Sequence, residues 1–127
     1  MMKHFFAASL LVLIAFTANA SAQQSHLRVT GIYSDLHLSS GDLLGIELLI
    51  IPAKSGYQAF VQIAEGDVPY AAVVPVIVEG AGFDFTLPVG SMYSGQHFEG
   101  SFTPWGLVLK WGHGQTEVLR RRRSYWQ

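Results

Sequence analysis

The residues that could do chemistry in this sequence come in two short pairs. Asp35 lies two positions before His37, and His97 lies two positions before Glu99. Residues two apart on a β-strand point to the same face of the sheet, so each pair could offer two ligands to a metal ion. The same spacing is common on any solvent-facing strand. We therefore predict no metal site and no cofactor.

Catalytic arrangements are equally sparse. The chain has no cysteine, which excludes thiolate nucleophiles, thiolate metal sites and disulfides. No serine lies in a Gly-x-Ser-x-Gly elbow. Glu47 stands out because its strand is otherwise apolar, and we expect it to face solvent or to pair with an arginine of the last strand. We predict that the protein is not an enzyme.

Two aromatic residues fall in segments that connect strands. Tyr93 is close to Gly95 and Trp105 follows Pro104, so both rings lie where a large side chain is hard to bury. Amphipathic rings in loops often mark contact sites. We predict that Tyr93 and Trp105 contact a ligand or a partner, with loops folded over a barrel end as the alternative.

Composition narrows the class of protein. The chain has 127 residues, of which 50% are hydrophobic and 13% are charged, with a formal net charge of −1. Half-apolar chains of low charge are not disordered, and a nearly neutral chain is unlike a nucleic-acid binder. The length suits one domain.

The first residues resemble an export signal. Lys3 precedes an apolar run over 5–16, and the small residues of 18–22 provide cleavage sites. We predict a signal peptide over 1–22, a short lead-in over 23–27 and a single β domain over 28–127. The apolar run is too short to span a bilayer as a helix, so we expect no membrane span after removal of the signal. The predicted location is periplasmic or secreted.

The remaining chain reads as strands. Runs of β-branched and aromatic residues, several with apolar and polar residues alternating, are separated by glycine-rich turns too short for crossover helices. The runs are 28–38, 43–53, 57–64, 70–79, 83–87, 96–102, 107–111 and 116–126. This pattern predicts an all-β antiparallel meander of about eight strands, closed into a small barrel because closure removes exposed edges. A β-sandwich is the alternative.

The first and last runs carry a resemblance. Thr30-Gly31-Ile32-Tyr33, together with the arginines of 120–123, is similar to the closure pattern of calycin-type barrels, the lipocalins and their relatives. There a late arginine covers an aromatic residue of the first strand. The resemblance implies that Gly31, Tyr33 and one of Arg120 or Arg122 close the barrel. We also expect Trp126 or Tyr125 to pack inward from the last strand. The chain also looks like small exported bacterial proteins of unassigned function.

Two functions remain open. The barrel could bind a small apolar or amphipathic ligand, or the protein could act through its loops on an envelope protein, as an accessory subunit or inhibitor. The space inside the barrel distinguishes them, because large rings that fill it leave no room for a ligand. The rings expected inside are Phe60, Phe83, Phe85, Phe98 and Phe102.

Overall fold

A computed structural model describes residues 27–90 and 92–127. The predicted signal peptide over 1–22 and most of the lead-in over 23–27 lie outside the described residues. The strands are β1 (Gly31–Ser34), β2 (His37–Ser39), β3 (Asp42–Ala53), β4 (Gly56–Glu65), β5 (Tyr70–Glu79), β6 (Gly82–Thr86), β7 (His97–Thr103), β8 (Gly106–Trp111) and β9 (Gln115–Arg121).

The strands form one closed antiparallel barrel. Each strand from β3 to β8 pairs with the next along the chain, and β1 pairs with β3 on one side and β9 on the other. Strand β2 continues the course of β1 and pairs with the start of β3. The barrel therefore has eight strand positions around its circumference, which we call staves, and β1 and β2 together occupy one of them. The predicted all-β meander and its closure are confirmed, and the sandwich alternative is wrong.

The first predicted run is broken at Asp35. The Asp35 amide donates to the carbonyl of Ile46 at 3.0 Å, and the Ile46 amide donates back to Asp35 Oδ1 at 2.6 Å. A side chain thus replaces a backbone partner in the ladder. Gly45 is required beside it, because a Cβ there would lie 2.7 Å from the carbonyl oxygen of Asp35.

Alternate residues of every stave point inward and form one apolar core. The buried members are Tyr33, Ile46, Leu48, Ile50, Ala59, Val61, Ile63, Val74, Val76, Phe83, Phe85, Leu87, Phe98, Phe102, Leu107, Leu109 and Leu119. Phe60 is not among them. It points outward and is 38% exposed, because its inward neighbours on β4 are Ala59 and Val61.

Aromatic rings run through the core as a continuous chain of contacts, which we call the aromatic column. Successive ring centroids lie 4.8–6.5 Å apart. In order of contact the rings belong to Tyr33, Phe102, Phe83, Phe85, Phe98, Trp111, Tyr93 and Tyr70. These are packing distances for aromatic side chains.

Within residues 27–90 and 92–127 there is no helix of the length and hydropathy needed to cross a membrane.

Candidate functional site

The barrel is closed where the first and last staves meet, by Arg121. Its guanidinium lies over the Tyr33 ring at 4.7 Å from the centroid. It donates to Tyr33 Oη at 2.6 Å, to the carbonyl of Thr30 at 2.7 Å and to the carbonyl of Arg28. Burial raises the pKa of Tyr33, although the Arg121 charge and hydrogen bond partly oppose this.

The closing arginine is neither Arg120 nor Arg122, the two candidates from the sequence. Leu119 is buried in the core, so residue 121, two positions on, also points inward. Arg120 points outward and is exposed, and Arg122 donates to the carbonyl of Leu36 at 2.6 Å. The apolar Leu119 was the signal in the sequence that pointed to Arg121, because residues two apart on a strand face the same side.

Gly31 lies against the same guanidinium. Its φ is +144°, a backbone conformation that residues with a side chain rarely adopt. A Cβ at this position would overlap Nη1 of Arg121. The closure therefore needs a glycine at position 31, beside the Arg121 guanidinium.

Residues 122–127, which we call the C-terminal strap, leave the sheet and cross its outer surface. Ser124 Oγ donates to Glu47 Oε1 at 2.5 Å, and the Tyr125 amide donates to Glu47 Oε2 at 2.9 Å. Glu47 faces outward between the inward Ile46 and Leu48, yet it is only 6% exposed. The strap is what covers its carboxylate.

Trp126 or Tyr125 was expected to pack inward from the last strand, but Trp126 lies outside the barrel and the Tyr125 ring packs edge to face against it at 5.1 Å. Strand β9 ends at Arg121, and the Trp126 ring is 55% exposed. Its Nε1 donates to Gln62 Oε1 at 2.7 Å on the outer face of β4. The chain turns outward after β9 because Glu47 and Gln62 offer polar partners there, whereas the interior is already filled.

Tyr93 covers the opposite end of the barrel. Its ring lies 5.4 Å from that of Tyr70 and 6.5 Å from that of Trp111, both edge to face. Burial raises the pKa of Tyr93 to about 12, helped by a hydrogen bond and negative charge from Glu65. Tyr93 therefore covers the core at this end of the barrel. This agrees with the alternative prediction, that of a loop folded over the barrel end.

Trp105 is the exposed aromatic residue of the two. It lies in the turn between β7 and β8, and its ring is 77% exposed. The ring borders an outer concavity of about 460 Å³, which we call the Trp105 groove. The groove is lined by Thr103, Trp105, Gly106, Val108, Val118, Leu119 and Arg120.

The backbone of Gly106, which carries no side chain, forms the floor of the Trp105 groove. A Cβ on Gly106 would meet the Cα of Arg120 at 2.9 Å, because β9 approaches β8 closely there. Val108 and Val118 are cross-strand partners beside this floor, and Val118 is 62% exposed. The groove thus offers an apolar surface with one guanidinium at its edge.

A second outer concavity, of about 400 Å³, lies over β5 to β8 and is more polar. Three carboxylates and one ammonium line it, from Glu79, Asp84, Glu99 and Lys110. The Asp84, Glu99 and Lys110 positions are neighbours across three strands. This concavity is open to solvent on the barrel's outside, as the Trp105 groove is.

In each of the two pairs that suggested metal ligands, the histidine contacts a nearby oxygen of the protein. His37 Nδ1 lies 2.7 Å from the carbonyl oxygen of Asp35, and His97 Nδ1 lies 2.9 Å from Thr86 Oγ1. Among the described residues no group of three histidine, cysteine or acidic side chains is placed to hold a metal ion.

Asp35 has a second neighbour that the sequence did not reveal. Glu117 lies on β9, and burial raises the pKa of its carboxyl, with the charge of Asp35 and a hydrogen bond between the two carboxyls adding to the rise. The two residues are 82 positions apart, so only the closure of the barrel brings them together.

Comparisons with protein-family models, with curated proteins and with solved structures give no match for this chain.

Proposed function

We propose that this protein is a non-enzymatic binding module of the bacterial cell envelope. It contacts a larger envelope component through the Trp105 groove, on the outside of its barrel. The observation that carries the proposal is the aromatic column. Because side chains occupy the interior from one end to the other, the outer surface is what remains for recognition.

The packed interior weighs against the carriage of a small apolar ligand. An eight-stranded barrel holds a ligand only where its inward side chains leave room. Here Phe83, Phe85 and Phe98 stack at centroid distances of 4.9–6.5 Å, with Phe98 itself fully buried. A ligand would have to displace rings from their contacts, which costs the packing that stabilises the domain.

Trp105 is the best anchor on the outer surface. Tryptophan is enriched at contact sites because one large rigid side chain supplies both apolar area and a hydrogen-bond donor. The ring is free to meet a partner, and Val118 beside it adds exposed apolar area. Arg120 at the edge of the groove supplies a charge that can fix the orientation of what binds.

We place the protein in the periplasm or outside the cell, because residues 1–22 resemble an export signal. Its barrel closure supports a calycin-like origin, because Gly31, Tyr33 and Arg121 make the contacts expected of a first-strand aromatic residue covered by a late arginine. The likeness to small exported bacterial β-domain proteins belongs to the same proposal.

Crosslinking in the native envelope tests the contact surface. A benzophenone side chain at position 105 is expected to crosslink to an envelope component, whether protein or lipid. The same group at position 68 is the matched control, since Val68 is 90% exposed at the other end of the barrel. Native mass spectrometry of the purified protein is expected to show no bound small molecule.

A stoichiometric small ligand in the native mass spectrum, together with equal crosslinking from positions 105 and 68, would overturn this function in favour of ligand carriage.

A further inference from the structure

The charges of the molecule are separated between the two ends of the barrel. Because the staves alternate in direction, the chain start, the β3–β4 and β7–β8 turns and the end of β9 all lie at one end. We call this the basic end. Its cationic residues are Arg28, Lys54, Arg120 and Arg121, and the acidic residue beside them is Glu79 at the end of β5.

The opposite end is acidic. The β2–β3 and β4–β5 connections and the start of β9 lie there. Their acidic residues are Asp42, Glu65, Asp67 and Glu117. A molecule with this distribution experiences a torque near a negatively charged plane, which turns the basic end towards the plane.

Trp105 projects from the basic end. It follows Pro104 at the tip of the β7–β8 turn, and both residues are exposed. Leu27 and Ile51, also at this end, are 38% and 44% exposed. An exposed indole with nearby aliphatic groups and a surrounding set of cations is the composition of protein surfaces that lie on anionic membranes.

We propose that the basic end docks on an anionic lipid surface, with the Trp105 ring inserted among the headgroups and the arginines paired to lipid phosphates. This names the partner for the groove and rests on the function proposed above. Lipid fits better than an acidic protein segment because the cations come from the chain start, a turn and the last strand. They form an arc along the rim, from the end of β9 past the start of β1 to the β3–β4 turn, and this arc adjoins the β7–β8 turn that carries Trp105. A plane can contact the whole arc at once, whereas a single bound peptide would have to follow three separate segments.

The exposure of the basic side chains supports direct contact. Arg28, Lys54 and Arg120 are all exposed, so each can approach a headgroup without rearrangement of the core. Arg121 is held by Tyr33 and the backbone, and it contributes charge without being available as a ligand. Two lipids separate charge from other headgroup contacts. Phosphatidylglycerol carries a net negative charge on its phosphate, whereas phosphatidylcholine carries no net charge.

Vesicle binding tests the proposal with the full protein. We expect binding to mixed phosphatidylcholine–phosphatidylglycerol vesicles, a blue shift of tryptophan emission, and release at high salt, because salt screens these contacts. We expect no measurable binding to pure phosphatidylcholine vesicles. Trp105→Ala should remove most of the blue shift and weaken binding, and it leaves the fold intact because the ring is exposed.

Charge variants locate the contact. Arg120→Gln and Lys54→Gln should each lower the partition coefficient roughly fivefold, and the two together roughly thirtyfold. Lys110→Gln is the matched control, because Lys110 is also an exposed cation, on the outer face of β8 and away from the basic end. It should leave partitioning unchanged.

Equal binding to both vesicle types, or equal losses in Lys110→Gln and Arg120→Gln, would overturn the inference. If neither vesicle binds while position 105 crosslinks to a protein in the envelope, the lipid inference fails and the proposed function stands.

Discussion

Glu117, which is partly buried next to Asp35, is one of the residues that make stability depend on pH. Burial and the neighbouring carboxylate raise the pKa of Glu117 above its usual 4.5. In the unfolded chain the carboxyl keeps its ordinary pKa. As the pH rises the unfolded chain loses this proton first, so ionisation favours unfolding. The stability that Glu117 contributes is full in acid and is lost as the pH rises through the folded pKa.

We therefore expect Glu117→Gln to raise the free energy of unfolding at neutral pH, and to do so much less in acid. Urea unfolding of both proteins across the acid range measures the difference. Glu99→Gln, on the outer face of β7, is the control and should show no such trend. A Glu117→Gln variant that is less stable than the parent at neutral pH would contradict the assignment.

Glu47 makes the strap a structural part of the protein. Its carboxylate accepts from the Ser124 hydroxyl and the Tyr125 amide and is almost fully covered. Glu47→Ala leaves both donors without their charged acceptor, so it should lower the free energy of unfolding by about 2–3 kcal/mol. Denaturant titration checks this, and the exposed Glu79→Ala is the matched control.

Truncation after Arg123 tests the same contact from the other side. It should cost somewhat more than Glu47→Ala, because it also removes the hydrogen bond from Trp126 to Gln62. Adding Glu47→Ala to the truncation should cost little more, because the truncation has already removed the donors to Glu47. Fully additive losses would show that Glu47 is not what holds the strap.

At the scale of the strands, closure depends on the space that Gly31 leaves for Arg121. Gly31→Ala forces a side chain onto a φ of +144° and against the guanidinium, so we expect a loss of about 1–3 kcal/mol in the free energy of unfolding. The measurement is again denaturant unfolding.

Gly82→Ala is the matched control for Gly31→Ala. Gly82 also lies in a strand, has no positive φ, and a Cβ there would meet its nearest neighbour at 3.4 Å. A loss in Gly82→Ala as large as that in Gly31→Ala would mean that closure does not depend on this glycine.

Most strand boundaries followed from the sequence, because alternation and glycine-rich turns are local signals. The run over 70–79 is β5 as found, and the other middle strands begin or end within about one residue of the runs. Both failures depend on contacts distant in sequence. The break at Asp35 needs Ile46 and Gly45 across the sheet. The end of β9 at Arg121 depends on Glu47, which draws the strap outward.

At the scale of the whole molecule, closure was predictable and the contents of the barrel were only partly so. Four of the five phenylalanines expected inside are there, whereas Phe60 is outside because Ala59 and Val61 take the inward positions. The exposure of Trp105 agreed with its place in a turn. The covering of Tyr93 required Tyr70 and Trp111 to meet it, which no local pattern indicates. The separation of charge appears only once the strand order is known.

The pairing of the first stave with the last also sets the order of assembly. Neighbouring staves from β3 to β9 are joined by short connections and can form as the chain emerges, but β1 and β9 are some 90 positions apart and meet through only two residue pairs. We therefore expect the contact between Tyr33 and Arg121 to form late in folding. Until it forms, the barrel stays open between β1 and β9, a delay that suits the export proposed above.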